Sequence, residues 1–172
     1  MLTLHTKIPR GELDAGRAVG AQLVLPFELR EKCRLRAVLT NGDEVAVFTP
    51  RGTVLRDGDL LTGAEGVVVR VVAALEPTYL VWCADPNLLL RCAFHLGNRH
   101  TQAQVGDGFL RIRRDPVLHD MLIGLGASVQ EEDAAFEPES GAYGGGHSHA
   151  DDGHPLAPIP LRQKIHRPHD PR

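Results

Sequence analysis

Two Asp-Pro pairs, at 85–86 and 115–116, constrain this sequence more than any other feature. An aspartate side chain caps the first free amide groups of a helix, and proline is favoured at the first helical position because its missing N–H leaves no donor unpaired there. Apolar residues at helical spacing follow each pair, and short apolar segments flank both. The pattern predicts two helices placed among short strands.

The second half of the chain therefore reads as four strands and two helices. The predicted strands are YLVWCA (79–84), TQAQV (101–105), FLRIRR (109–114) and a last strand that begins at ASVQ (127–130). The first helix is expected to stop at Gly97 and the second at Gly126, since glycine is the usual residue after a helix. The order β-α-β-β-α-β predicts a ferredoxin-like sandwich, with both helices on one face of a four-stranded sheet.

Up to about residue 75 the sequence consists of short apolar or alternating segments separated by turn residues, which is typical of β structure. Predicted strands are QLVL (22–25), CRLRAVL (33–39), EVAVF (44–48), TVL (53–55) and VVVRVVAAL (67–75). Asn41-Gly42 is a typical hairpin turn between two of them. The expected fold class is thus α+β with an N-terminal all-β domain, a small β-barrel or sandwich. The boundaries are expected at 1–75, at 76–143 for the ferredoxin-like domain, and at 144–172 for a flexible tail that contains histidines.

Composition excludes several classes of protein. The chain has 172 residues and a formal net charge of −3, with no basic stripe, so nucleic acid is not an expected partner. There is no signal peptide and no apolar run of the roughly 20 residues that span a bilayer, which predicts a cytoplasmic protein without membrane contact. No HExxH, phosphate-binding loop or GxSxG motif is present, so no enzymatic activity is expected.

Cysteines and histidines are the remaining candidates for chemistry. Cys33, Cys83 and Cys92 form no CxxC pair and lie in apolar segments, so they are interpreted as small buried hydrophobic residues. Histidines are more unusual, since the chain has nine of them. Five fall in the tail: His147, His149, His154, His166 and His169. Imidazole is a good ligand for Ni(II), Cu(II) and Zn(II), and the spacing of His147 and His149 brings both within reach of one ion, with His154 close behind.

The motif FHLGNRHTQ (94–102) contains two further histidines on either side of a Gly-Asn pair. His95 is expected at the edge of the first helix, as a surface or capping residue. His100 is expected just after the turn, where a strand begins, so its direction is fixed on both sides. One imidazole cannot hold a metal ion, and a two-fold dimer would supply a second copy. His119 is expected on a helix face or edge, and no metal role is expected for His5.

The segments FHLGNRHTQAQV, DPVLHDML and FEPESGAYGGGHSH resemble the UreE family, the urease accessory proteins that carry nickel to apo-urease. The resemblance covers the order of parts along almost the whole chain. It implies a homodimer formed through domain 76–143, with His100 of each subunit at a shared nickel site that tail histidines help to complete. It also implies that domain 1–75 contacts partner proteins. The proteins that receive the nickel are, by the same resemblance, the urease accessory GTPase and finally the urease apoprotein.

One departure from the family pattern concerns a second, peripheral metal site. Some members carry a His-x-His pair just before the second helix, where this chain has Arg114 and Pro116. The existence of that site is therefore in doubt for this chain.

The predicted function is that of a nickel metallochaperone with Ni(II) as cargo, ligated by His100, His147, His149 and His154, and with Zn(II) or Cu(II) as competitors. The alternatives are a peptide- or protein-interaction module whose histidines only affect solubility and pH response, and a nickel or zinc buffer without a delivery role.

Overall fold

The computed structural model describes residues 1–8 and 19–140. In the first half the elements are β1 (Leu2–Leu4), β2 (Thr6–Ile8), β3 (Val19–Leu25), α1 (Phe27–Arg30), β4 (Arg34–Val38), β5 (Glu44–Phe48), β6 (Leu60–Thr62) and β7 (Val68–Ala73). In the second half they are β8 (Leu75–Trp82), α2 (Pro86–Gly97), β9 (Gln104–Gly106), β10 (Phe109–Arg113), α3 (Pro116–Leu125) and β11 (Ser128–Ala135).

The first half is a sandwich of two open sheets. One sheet has the strand order β1-β5-β4, and the other has the order β2-β6-β7-β3. Leucine and valine side chains from both sheets meet in one buried core, for example Leu4 and Val47 from the first sheet and Leu23 and Val69 from the second. The sheets do not close on themselves, so of the two predicted forms the sandwich is correct and the barrel is wrong.

Individual strands of this half differ from the prediction. TVL (53–55) is not a strand, although Leu55 is fully buried as the core pattern indicated. The segment 67–75 is interrupted at Ala74, because β7 pairs with β3 and β6 whereas β8 turns into the other half. The helix α1 was not predicted, since four residues are too few to show a helical period.

The second half has the predicted order β-α-β-β-α-β. Its antiparallel sheet runs β11-β8-β10-β9, and β11 pairs with β8 along eight residues, from Ser128 to Ala135. Buried side chains of β8 and β10, such as Val81 and Ile112, share a core with Leu96 of α2 and Leu122 of α3. Both helices thus lie on the same face of the sheet, and the ferredoxin-like prediction is confirmed.

Both Asp-Pro pairs start helices as predicted. The Asp85 carboxylate accepts a hydrogen bond from the amide of Asn87 (2.9 Å), and the Asp115 carboxylate accepts one from the amide of Val117 (2.8 Å). Helix α3 ends at its cap residue Gly126, whose φ of 96° is left-handed. The first predicted helix ends at Gly97 as expected, but Gly97 is its last helical residue and lacks the positive φ of a terminating glycine.

A short segment after β11, residues 136–140, bonds to both halves of the fold. Arg30 is fully buried, and its guanidinium donates to the carboxylate of Glu137 and to the carbonyl of Phe136. Arg56 binds the other carboxylate oxygen of Glu137 at 3.1 Å. On the opposite side, the amide of Glu139 donates to the carbonyl of Ala103 at 2.9 Å. Residues far apart in the chain are therefore tied together at this point.

Candidate metal centre

His100 lies at the point where the first helix of the ferredoxin-like half gives way to a turn. The amide of His100 donates to the carbonyl of Gly97 (2.9 Å), and the amide of Thr101 donates to the carbonyl of Leu96 (3.1 Å). These two bonds are the pair that defines a Schellman motif, in which the residue after the cap is left-handed. His100 occupies that left-handed position, with φ of 53°.

A histidine at this position is unusual because the left-handed conformation brings the Cβ atom of an L residue too close to its own backbone. The penalty is about 1–2 kcal/mol for an ordinary residue, which is why glycine predominates at this position. His100 is the only non-glycine residue with positive φ in the part of the chain that the structure describes. Strain of this kind is typical of functional sites.

The prediction that His100 enters a strand is wrong. Strand β9 begins at Gln104, so Thr101 to Ala103 form a connection without ladder bonds. The turn after α2 closes only with the amides of His100 and Thr101, so the chain leaves the turn at Thr101 and reaches the strand ladder at Gln104. The His100 side chain is exposed at the surface.

The imidazole of His100 lines a groove of about 620 Å³, together with Thr101, Gln102, Arg113 and Arg114. Arg113 donates to the side-chain oxygen of Gln102 at 3.0 Å. The amide nitrogen of the same Gln102 side chain donates to Glu31, at the end of α1, at 2.9 Å. The segment that follows His100 is thus held by groups from both halves of the fold.

Unlike Arg113, Arg114 lies close to carboxylates of β11. Its guanidinium lies 3.2 Å from a carboxylate oxygen of Glu131 and 3.7 Å from one of Asp133, both on β11. A guanidinium stays protonated and has no lone pair for a metal ion, so Arg114 is not a ligand. The doubt about a peripheral site built on positions 114 and 116 therefore stands.

The other histidines of the described residues have local partners. The ring of His119 packs on Tyr79, with centroids 5.3 Å apart, and its Nδ1 is 3.2 Å from a carboxylate oxygen of Asp120. The ring of His95 packs edge-on against Phe94, and Nδ1 of His5 is 3.0 Å from the hydroxyl of Thr6. Within residues 1–8 and 19–140, no three His, Cys, Asp or Glu side chains come together as a metal site.

The tail histidines proposed as ligands, His147, His149 and His154, lie outside the described residues, as does the whole predicted tail 144–172. Their role in metal binding stays a prediction.

The three cysteines are reduced, but only Cys92 is fully buried; Cys33 and Cys83 are half-buried, so the interpretation as buried hydrophobic residues holds for one of three. Burial, with a smaller effect of the neighbouring Cys83, raises the pKa of the Cys92 thiol to about 11. A thiol with so high a pKa is a poor metal ligand and nucleophile at neutral pH.

Two residues of the groove were missed from the sequence, Gln102 and Arg113. The run RIRRD offered a signal, because consecutive arginines at the end of a strand place at least one cation at the sheet edge. What the sequence did not show is that Gln102 comes within bonding distance of Arg113, since the two residues meet only through the folded sheet.

The fold and the groove define a class: a two-part protein, β-sandwich followed by ferredoxin-like unit, that presents a strained, exposed histidine at the end of a helix. Comparison with known proteins identifies the family. Residues 4–74 match the model of the N-terminal domain of the UreE urease accessory protein, and residues 76–169 match that of its C-terminal domain. The chain belongs to the UreE family.

Among its relatives are two proteins named urease accessory protein UreE, from Nitrosospira multiformis (63% identical) and Janthinobacterium sp. strain Marseille (64% identical). Each alignment covers 99% of this chain and 98% of the relative. A Burkholderia orbicola protein of the same name is 48% identical over 98% of this chain and 84% of its own length.

Membership in this family gives the protein a role in urease maturation, as an accessory protein and not as urease itself. The family handles nickel in general, and its role implies contact with other components of urease maturation. No helix in the described residues is long and apolar enough to cross a membrane.

Proposed function

We propose that the protein is a nickel metallochaperone that delivers Ni(II) for assembly of the urease metallocentre. The ion is held at a homodimer interface between His100 of one subunit and His100 of the other, and tail histidines, with His147, His149 and His154 as the candidates, complete the site. The observation that carries the proposal is the left-handed, exposed conformation of His100.

The strain at His100 supports a ligand role because a purely structural cap would be better served by glycine. The imidazole projects from a frame that is bonded on both sides, by the Schellman turn before it and by the bonds of Gln102 after it. Imidazole is a suitable ligand for nickel, and equally for Zn(II) and Cu(II), which remain the expected competitors. Within residues 1–8 and 19–140, His100 belongs to no cluster of three His, Cys, Asp or Glu side chains that could hold an ion, so the proposal takes the further ligands from a second subunit and from the tail.

An apolar surface beside His100 supports the homodimer. Leu90 and Phe94, one helical turn apart on α2, are 68% and 65% exposed, and α2 is the helix whose terminating turn contains His100. Large exposed apolar side chains on one face of a helix are typical of a surface that another protein covers. In a two-fold dimer such a face packs on its own copy, and a residue near the axis meets its equivalent.

Transfer of the ion follows from ligand exchange. A tail with only a few histidines gives the site ligands that can leave and return, so an incoming ligand on the acceptor can replace them one by one. The proposed acceptors are the urease accessory GTPase and the urease apoprotein, in the cytoplasm, and the proposed contact surface for partners is the N-terminal sandwich.

Calorimetric titration of Ni(II) into the full chain tests the metal site. His100→Ala is expected to remove the tightest site, whereas His95→Ala, in the last turn of α2, is the matched control and is expected to leave it intact. Loss of nickel binding in both variants, or in neither, would contradict the assignment of the ligand to position 100.

Delivery is tested separately from binding. Deletion of residues 144–172 is expected to reduce urease activation in cells at limiting nickel, because the tail supplies the exchanging ligands. Unchanged activation would favour a metal buffer. Full activation by His100→Ala as well would favour the alternative of a protein-interaction module, for which metal binding is not needed.

Light scattering of the Phe94→Glu variant tests the dimer. The introduced charge on the exposed face of α2 is expected to dissociate the dimer into monomers.

A further inference from the structure

The three arginines at the end of β10 differ in how their charges are compensated. Arg111 and Arg114 each lie within 4.0 Å of carboxylates on β11. Arg113 has no such carboxylate partner among the residues that the structure describes, and its side chain is turned toward Gln102. The strand thus ends with one cation whose charge is not balanced by a contact.

The Arg113 side chain is fixed by a hydrogen bond and lines the same groove as His100. Its guanidinium donates to the Gln102 side chain at 3.0 Å, and Gln102 is fixed from behind by Glu31 at 2.9 Å. Arg113 and His100 line the same groove of about 620 Å³. The carboxylate that lines this groove, that of Asp115, accepts hydrogen bonds from the first amides of α3.

From this arrangement we infer that Arg113 sets the metal affinity of the His100 site: its charge weakens the binding of a divalent cation and speeds the release of that cation. A neutral imidazole attracts the ion through its lone pair, whereas a guanidinium near the groove repels it. Weaker binding serves a protein that must give its metal away. The inference rests on the proposed function, because it takes His100 as the ligand.

The size of the effect follows from Coulomb's law. A unit charge and a divalent ion on the order of 10 Å apart, at an effective dielectric constant of about 40–80, repel each other enough to weaken binding about 4- to 17-fold. In a two-fold dimer an ion on the axis faces Arg113 of both subunits, so the effect is larger there. Salt reduces it, because the screening length falls from about 30 Å at 0.01 M to about 3 Å at 1 M.

The test measures Ni(II) affinity of the full-length protein by calorimetry, and Ni(II) release to a chelator by stopped flow, in low and high sodium perchlorate. Arg113→Gln is expected to bind Ni(II) about 4- to 17-fold more tightly in low salt and to release it more slowly, with the difference falling to within about twofold near 1 M salt. Arg113→Lys keeps the charge and is expected to behave like the wild type.

Arg36→Gln is the matched control, since it removes the same charge from an exposed position on β4, in the other half of the fold. It is expected to leave affinity unchanged. The inference is overturned if Arg113→Gln binds nickel no more tightly than Arg36→Gln, or if its effect persists at high salt.

His100→Ala separates this inference from the proposed function. If His100→Ala removes the site and Arg113→Gln has no effect, the proposed function survives and only the role of Arg113 is wrong. If His100→Ala leaves nickel binding unchanged, the proposed function fails first. A weaker site in Arg113→Gln would show that the guanidinium helps to bind the metal through an anionic ligand, which also overturns the inference.

Discussion

Replacing His100 by glycine separates two effects: the free-energy penalty of the left-handed backbone at position 100, and the contribution of the imidazole to nickel binding. The left-handed position costs an L residue about 1–2 kcal/mol, and glycine avoids this penalty. Glycine in turn makes the unfolded chain more flexible, which offsets about 0.5–1 kcal/mol of the gain. His100→Gly is therefore expected to be as stable as the wild type or more stable, by up to about 1.5 kcal/mol.

His100→Ala is the comparison that isolates the backbone effect. Alanine keeps the Cβ atom and therefore the strain, and like glycine it lacks the imidazole. We expect His100→Gly to exceed His100→Ala in unfolding free energy by about 1 kcal/mol, although both variants lose the nickel site. The two variants are therefore expected to differ in stability while both lack the nickel site.

Urea unfolding followed by circular dichroism measures the stability difference, and it has to be done in the presence of a chelator because bound metal would stabilise the wild type alone. Nickel titration of the same preparations measures the site. The reasoning is refuted if His100→Gly is less stable than His100→Ala, since the position would then not be left-handed in solution. The assignment of His100 as a nickel ligand is refuted if either variant retains the wild-type nickel site.

Three further predictions concern other parts of the protein. Glu137→Ala is expected to lower the unfolding free energy by about 2–4 kcal/mol, because it leaves the buried Arg30 without its carboxylate, whereas Glu139→Ala, an exposed neighbour, is expected to change it little in the same urea experiment. At pH 8, Cys92 in the folded protein is expected to react with iodoacetamide about 100-fold more slowly than a thiol with a pKa of 9, because its pKa is raised to about 11; a fast reaction detected by site-resolved mass spectrometry would contradict this. Nickel affinity is expected to fall steeply below about pH 6.5, since imidazole must lose its proton to ligate, and a flat titration curve down to pH 5 would indicate carboxylate or backbone ligands.

The architecture of the second half was readable from the sequence because its signals are local. The Asp85 and Asp115 side chains cap the amides two residues ahead, and the apolar residues repeat at the spacing of a helix. Each of these signals acts within one or two turns of the chain, so neighbouring residues are sufficient to define them. The order β-α-β-β-α-β then leaves few ways to arrange the sheet.

The position at which α2 ends was predicted, but the conformation that ends it was not, and the reason is physical. Gly97 looked like the left-handed glycine that commonly follows a helix, but it is the last helical residue, because the left-handed position is decided by which amides find carbonyl partners. Here the bonds from the amides of His100 and Thr101 close the turn three residues later. The histidine motif was found from the sequence, and its strain was not.

The amino-acid sequence by itself determined the two-part order, the starts of the helices and the histidine that the candidate site presents, since these depend on neighbours in the chain. Only the tertiary structure decided the surroundings of that histidine. Arg113 reaches Gln102 beside the neighbouring strand β9, Gln102 reaches Glu31 in the other half, and Glu137 returns to Arg30 over more than a hundred residues. Such contacts depend on how separate elements pack, and no local pattern encodes them.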